Sequence, residues 1–215
     1  FSVSERPDSL AVIGAGPIGS ELGQAFSRLG SQVTIFASRN TILHKEEPDA
    51  ARVVQRQMEA EGIRVLTNCR AQKVEVIDGK KHITAGDETV VVDEILVATG
   101  RVPNVETLNL QVAGVEVGKR GITVNPKLQT SNPRIYAAGD VIGGYLFTHV
   151  AGYEGAVAMQ NALLLPLKKA DYSVIPWATF TDPELARVGL TEDQARRRYG
   201  DDICVLQQDV AGVDR

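Results

Sequence analysis

Gly14, Gly16 and Gly19 stand at Gly-x-Gly-x-x-Gly spacing within Val12-Ile13-Gly14-Ala15-Gly16-Pro17-Ile18-Gly19-Ser20-Glu21. Glycines at this spacing also serve ordinary turns, so their position decides what they mean. Here they follow a short apolar run, Leu10 to Ile13, and open a stretch with helical periodicity. A glycine turn between strand and helix, in a unit of about 30 residues, is the pattern of a dinucleotide-binding βαβ. Gly14 permits the tight turn, Gly16 lets the backbone approach a pyrophosphate, and Gly19 lets the helix pack on the strand. The helix N-terminus adds free N–H groups and partial positive charge. Pro17 suits that first turn, where no N–H partner is lost. The expected contacts are Gly14, Gly16, Pro17, Ile18 and Gly19; a tight βα turn without ligand is the alternative.

The second chemical position is the one that would meet an adenosine ribose. NAD-binding units place a carboxylate about 20 residues past the glycines, where it accepts from the 2′-hydroxyl. Here Val33-Thr34-Ile35-Phe36 ends at Ala37, and Ser38 and Arg39 follow, with His44 and Lys45 close behind. A carboxylate would repel a 2′-phosphate, whereas Arg39 offers a planar fork of donors. The sequence favours NADP(H) over NAD(H), with NAD still possible and a solvated loop arginine as the plainer alternative.

These residues need a scaffold. Ile18, Leu22, Ala25, Phe26 and Leu29 recur at three and four, predicting one apolar helix face that Gly30 ends. Gln32 to Phe36 reads as the next strand. A second helix is expected over Glu46 to Gly62, with Pro48 in its first turn and Val53, Val54 and Met58 as its apolar side. Ile63 to Leu66 is a short strand. Lys73 to Ile77, Lys81 to Thr84 and Thr89 to Val92, joined by Asp78-Gly79 and Gly86-Asp87, predict an antiparallel meander in place of a helical crossover. Glu94 to Ala98 reads as a buried strand leading into Thr99-Gly100-Arg101.

After a turn-rich stretch, Ile135 to Ala138 reads as a β-prone run ending at Gly139-Asp140. A carboxylate beside permissive backbone suits sugar-like hydroxyls, with a plain turn aspartate as the alternative. A helix follows from about Thr148 to Leu165, with His149 near its start. Beyond Pro166, Trp177 to Phe180 and Arg187 to Leu190 read as strands. Thr191 caps a short helix ended by Gly200, and Ile203 to Leu206 begins an unpaired strand. Trp177 reads as core, Arg196-Arg197-Arg198 as a solvated helix end, His44 as a phosphate neighbour and His82 as meander surface.

A net charge of −4 over 215 residues gives no reason to expect nucleic acid. No apolar run approaches bilayer-crossing length, and without a secretory signal the expected location is cytoplasmic. Cys69 and Cys204 lack C-x-x-C spacing, so neither reads as a metal ligand or half of a redox pair. A start at Phe1 and an end at Arg215, just past a strand-like run, read as a piece of something longer.

The glycine run, Ala98-Thr-Gly-Arg-Val-Pro-Asn104, Ile135-Tyr-Ala-Ala-Gly-Asp140, Leu146-Phe-Thr-His-Val-Ala-Gly-Tyr-Glu-Gly155 and Thr181-Asp-Pro-Glu-Leu-Ala-Arg-Val-Gly189 occur in that order. As a set they resemble the class I pyridine nucleotide–disulfide oxidoreductases, which include dihydrolipoamide dehydrogenase, glutathione reductase and mercuric reductase. Ala37-Ser-Arg-Asn-Thr and the closing segment 209–215 are most similar to mercuric reductase-like members. The resemblance implies an α/β, Rossmann-like FAD/NAD(P)-binding fold with a β-meander crossover. It divides the chain into a nucleotide domain (1–101), the second half of an FAD domain (102–169) and the start of an α+β dimerisation domain (170–215).

By the same resemblance Asp140, beside Gly139, would bind the ribityl chain of FAD, and the backbone at Leu146, Phe147 and Thr148 would face the flavin pyrimidine edge. Glu21 and Gly100 would lie toward the nicotinamide, and Arg101 at the junction with the flavin. The usual tyrosine gate after the second glycine is replaced by Pro17. The first FAD glycine motif and a Cys-x-x-x-x-Cys disulfide would precede Phe1, and a His–Glu acid–base pair would follow Arg215. No catalytic residue and no metal site is therefore expected within the chain. The implied activity, in a homodimeric parent acting on a small-molecule substrate, passes a hydride from NAD(P)H to FAD and electrons on to a disulfide or similar acceptor. A disulfide-lacking transhydrogenase or NAD(P)H oxidase, or a nucleotide-sensing module without catalysis, remain alternatives.

Overall fold

A computed structural model describes residues 3–209. The chain forms two units, one of residues up to Thr99 joined by those from Pro176 onward, the other of Gly100–Ile175.

In the first unit a four-stranded parallel sheet has the order β3-β2-β1-β7, with β1 Ser9–Ile13, β2 Gln32–Phe36, β3 Arg64–Leu66 and β7 Glu94–Val97. Strand β1 pairs in register with both neighbours, Val12 lying opposite Ile35 and Leu96. Both faces of the sheet are covered, as parallel sheets require. Leu10, Val12, Val33 and Ile35 face a core built with helix α2, Pro48–Ala60, through Ala51, Val54 and Met58. Ala11 and Phe36 face the opposite way, onto Ile83, Ala85, Val90 and Val92 of the meander. That meander is β4 Lys73–Ile77, β5 Lys80–Ala85 and β6 Glu88–Val92, antiparallel throughout. Asp78 and Gly79 both take positive φ between paired Ile77 and Lys80, the I′ turn that matches strand twist.

Helix α1, Pro17–Arg28, ends as expected at Gly30, where Gly30 and Ser31 N–H groups return to Ser27 and Phe26 carbonyls. Its buried face differs from the predicted stripe. Ile18 and Leu29 are 41% and 67% exposed and Ala25 is exposed, while Gly19, Ser20, Gly23 and Gln24 are buried. A Cβ on Gly23 would lie 3.1 Å from Ile35 Cδ1, so the helix sits too close to the sheet for larger side chains. In α2 the apolar side is likewise Ala51, Val54 and Met58, with Val53 exposed. Strand β7 is an edge strand rather than a buried one, and Val97 is exposed.

A hairpin of β10 Pro176–Thr179 and β11 Leu185–Val188 packs on the helix side through Leu185. Burial of Leu185 draws this strand two residues ahead of the predicted Arg187–Leu190. Helix α4, Glu192–Tyr199, carries the expected Thr191 cap as a full capping box with Gln194. Residues 203–206 form no strand, since no described strand lies alongside to pair with them. The closing residues after Asp209 lie outside the described range.

The second unit contains a two-stranded hairpin, β8 Val117–Gly118 and β9 Gly121–Ile122, a 3₁₀ turn at Gly139–Ile142, and helix α3, Thr148–Leu163. Ile135 to Ala138 is not a strand. Its backbone meets Leu128–Thr130 through one bridge, Gln129 to Tyr136, too short for a ladder. No helix among the described residues is long and apolar enough to cross a membrane.

Candidate nucleotide and flavin sites

The turn after β1 is built so that two glycines cannot be replaced and one faces open space. A Cβ on Gly14 would lie 2.5 Å from the Ala98 carbonyl oxygen, and on Gly19 only 1.9 Å from that of Gly14. A Cβ on Gly16 would meet nothing within 4 Å. Gly16 is also the N-cap of α1, Pro17 follows at the first position, no side chain caps the helix, and its first turn holds no acid. An uncapped N-terminus beside open backbone is suited to a phosphate.

The loop after β2 is tied to this turn. Leu43 N–H donates to the Ala15 carbonyl at 2.8 Å, and Asn68 N–H to that of Arg39 at 2.7 Å. Ile42 and Leu43 are buried as anchors, while Ser38, Arg39, His44 and Lys45 are exposed. His44 is pushed below its ordinary range by burial first, then by the charges of Lys45 and Arg39. Arg39 and Lys45 therefore form one positive patch, with His44 held toward its neutral form beside them. The neighbouring acids turn elsewhere: Glu46 accepts from Trp177 Nε1 at 3.0 Å, and Glu47 accepts from Glu192 N–H. Glu21 accepts from Phe180 N–H at 2.9 Å through one carboxylate oxygen.

In the second unit, Arg101 donates from one nitrogen to Asp140 Oδ2 at 3.2 Å and to the Leu146 carbonyl at 3.0 Å. Asp140 is exposed in the 3₁₀ turn, and Gly139 beside it has φ +81° with Ala151 Cβ 3.1 Å from where its own Cβ would be. Helix α3 starts at Thr148 after Phe147, again with no side-chain cap and no acid in its first turn. Gly100 has φ +144° and is exposed. The candidate residues thus form two groups. Gly14 to Glu21 with Ser38 and Arg39 belong to the first unit, and Gly100, Arg101, Gly139, Asp140 and Leu146 to Thr148 to the second.

One residue escaped the sequence reading. Glu154, fully buried on α3, accepts from Gly139 N–H at 2.6 Å and from the Tyr172 hydroxyl at 2.8 Å. The signal was available, because Glu154 shares the spacing of buried Val150, Val157 and Asn161, and an acid on an apolar face needs partners. Burial, then the bond to Glu154, pushes the Tyr172 phenol above its ordinary range.

A family model described as pyridine nucleotide-disulphide oxidoreductase matches residues 1–155, and that family's dimerisation domain matches residues 175–215. Mercuric reductase of Staphylococcus aureus is 43% identical over 204 residues, covering 92% of this chain and 37% of that protein. Dihydrolipoyl dehydrogenase of Bacillus subtilis (strain 168) is 40% identical over 203 residues, covering 94% and 44%. Among solved structures, the HOCl-induced flavoprotein disulfide reductase RclA of Escherichia coli superposes with a TM-score of 0.85 at 30% identity, over 98% of this chain and 49% of that one. The chain therefore spans less than half the length of these relatives, and it belongs to the pyridine nucleotide-disulphide oxidoreductase family.

Proposed function

We propose that this chain carries the pyridine-nucleotide site and one side of the flavin site of an FAD- and NAD(P)H-dependent oxidoreductase. The observation that carries the reading is the α1 N-terminus, uncapped and free of acids, with Gly16 open in front of it. Gly14, Gly16, Pro17, Ile18 and Gly19 would hold the pyrophosphate, whose charge suits the helix end. Ser38 and Arg39 would meet a 2′-phosphate, which makes NADPH the preferred nucleotide. Glu21 would reach toward the nicotinamide end.

The second unit offers Gly139, Asp140 and Arg101 to the sugar-like part of a flavin. The N–H groups at Leu146 to Thr148 would face negative charge on the reduced ring, a fixed dipole that tunes such a cofactor. Bound FAD would supply the hydride-accepting chemistry, and this chain's residues place, orient and shield it. In the intact protein, proposed to be a homodimer, electrons would pass on to a disulfide or similar acceptor, as in a mercuric reductase-like enzyme.

Calorimetric titration with NADPH, NADH and FAD in parallel tests this. NADPH binding tighter than NADH, with weak FAD binding, is the expected result. Equal or NADH-favoured binding overturns the Arg39 assignment, and a folded chain that binds no nucleotide overturns the glycine-turn reading itself.

A further inference from the structure

We infer that Arg187 is a positioning residue for nucleotide selection, holding the loop that presents Arg39, His44 and Lys45; the inference rests on the 2′-phosphate reading above. Arg187 and Trp177 lie directly opposite one another on β11 and β10. The guanidinium carbon lies over the indole, 4.2 Å from the ring centroid, a cation–π contact that holds Arg187 beside the loop. There Arg187 Nη1 donates to the Lys45 carbonyl at 2.6 Å and lies 3.4 Å from Glu46 Oε2. Trp177 Nε1 takes the other oxygen of the same carboxylate. The Arg187 and Glu46 side chains are 12% and 5% exposed, so little water competes for the pair.

This arrangement does two things at the loop. It fixes the backbone of Lys45 between the exposed cations and α2. It also withdraws the Glu46 carboxylate, one residue from Lys45 and two from His44, into the interior. Released, that acid would oppose a 2′-phosphate as the missing ribose-binding carboxylate would have done. NADH carries no such phosphate and should be indifferent to either effect. Selective loss of NADPH therefore separates positioning from a merely structural role.

The test is calorimetry of the 215-residue chain with NADPH and NADH, for wild type, Arg39→Ala, Arg187→Met and Arg187→Met with Glu46→Gln. Methionine keeps the packing on Trp177 but not the bond to Lys45. The double variant avoids stranding a buried charge and so guards against misfolding. Arg187→Met is expected to raise the NADPH Kd about tenfold and to leave NADH within about twofold. The double variant shows a smaller loss, still selective, because the acid is gone while the Lys45 anchor is still missing. Parallel loss of both nucleotides, or an unchanged ratio in the folded double variant, overturns the inference. If Arg39→Ala abolishes a preference that both Arg187 variants keep, only the inference falls. If wild type has no preference for NADPH, the 2′-phosphate reading falls and carries the inference with it.

Discussion

Alanine at Gly16 and at Gly19 should produce opposite failures, although the two positions are three residues apart in one turn. At Gly19 the new Cβ would sit 1.9 Å from the Gly14 carbonyl oxygen, with Val12 Cγ1 at 3.2 Å on another side. Relief needs a backbone shift of more than about 1 Å, in a helix whose next turn is already in contact with Ile35 through Gly23. Overpacking of this kind costs about 3 kcal/mol, since the obstacle is backbone rather than a flexible side chain. For a unit of this size that lowers Tm by roughly 10 °C or more.

At Gly16, φ is −79° and ψ −173°, which alanine adopts, and its Cβ meets nothing within 4 Å. Stability should stay within about 1 kcal/mol of wild type, a loss of unfolded-state entropy offsetting a poorer N-cap. The Cβ instead occupies the open face that a pyrophosphate would approach in the proposed site. Losing one or two charge-assisted N–H bonds there weakens NADPH roughly 10- to 100-fold. Thermal melts by circular dichroism and calorimetric titration read the two effects separately. A Gly16→Ala chain that binds NADPH like wild type, or a Gly19→Ala chain that melts like it, would refute the assignment of roles.

Acid sensitivity follows from two carboxylates of the first unit. Arg28 above all holds Glu61 down to about 2, and Lys80 above all holds Asp93 down to about 2. Folded values below unfolded ones give stability that is complete above about pH 5 and lost as pH falls through about 2. Glu61→Gln and Asp93→Asn should each flatten the acid-unfolding limb in that window; a limb as steep as wild type counts against the pairing. Thr191→Ala removes the capping box and should cost α4 about 1 kcal/mol, seen as about fivefold faster amide exchange over residues 192–199. Glu154→Ala strands the Gly139 N–H and the Tyr172 hydroxyl together. It should destabilise the second unit by about 3 kcal/mol and speed exchange at the Gly139 amide, whereas an unchanged amide would show that Glu154 does not hold that turn.

What the sequence disclosed depends on where each constraint originates. Gly14, Gly19, Gly30 and Gly62 are demanded by backbone geometry within a few residues, so residue type alone reveals them. The same holds for the Asp78-Gly79 turn and the Thr191 cap. The apolar stripe on α1 misled for a related reason. Periodicity assigns the core to large side chains, whereas contact with the sheet is made by Gly19 and Gly23 because only glycine lets the helix come that near. The strand over 203–206 was inferred from composition, which cannot supply the neighbour that a strand needs.

Charges in this fold obey long-range partners, and there local reading loses its grip. Arg39 stands out by sequence because the acid before it is missing, but what keeps its surroundings positive is the fate of Glu46 and Glu47. Glu46 is drawn inward by Trp177 and Arg187, 131 and 141 positions away, and Glu47 engages Glu192 N–H. In one dimension these two acids adjoin Lys45 and would count against a phosphate site. In three, the hairpin that follows the second unit in sequence turns them away. On the proposed reading, the glycine turn is legible within the first 20 residues, whereas a preference for NADPH would belong to the first unit only once residues 176–192 have folded onto it.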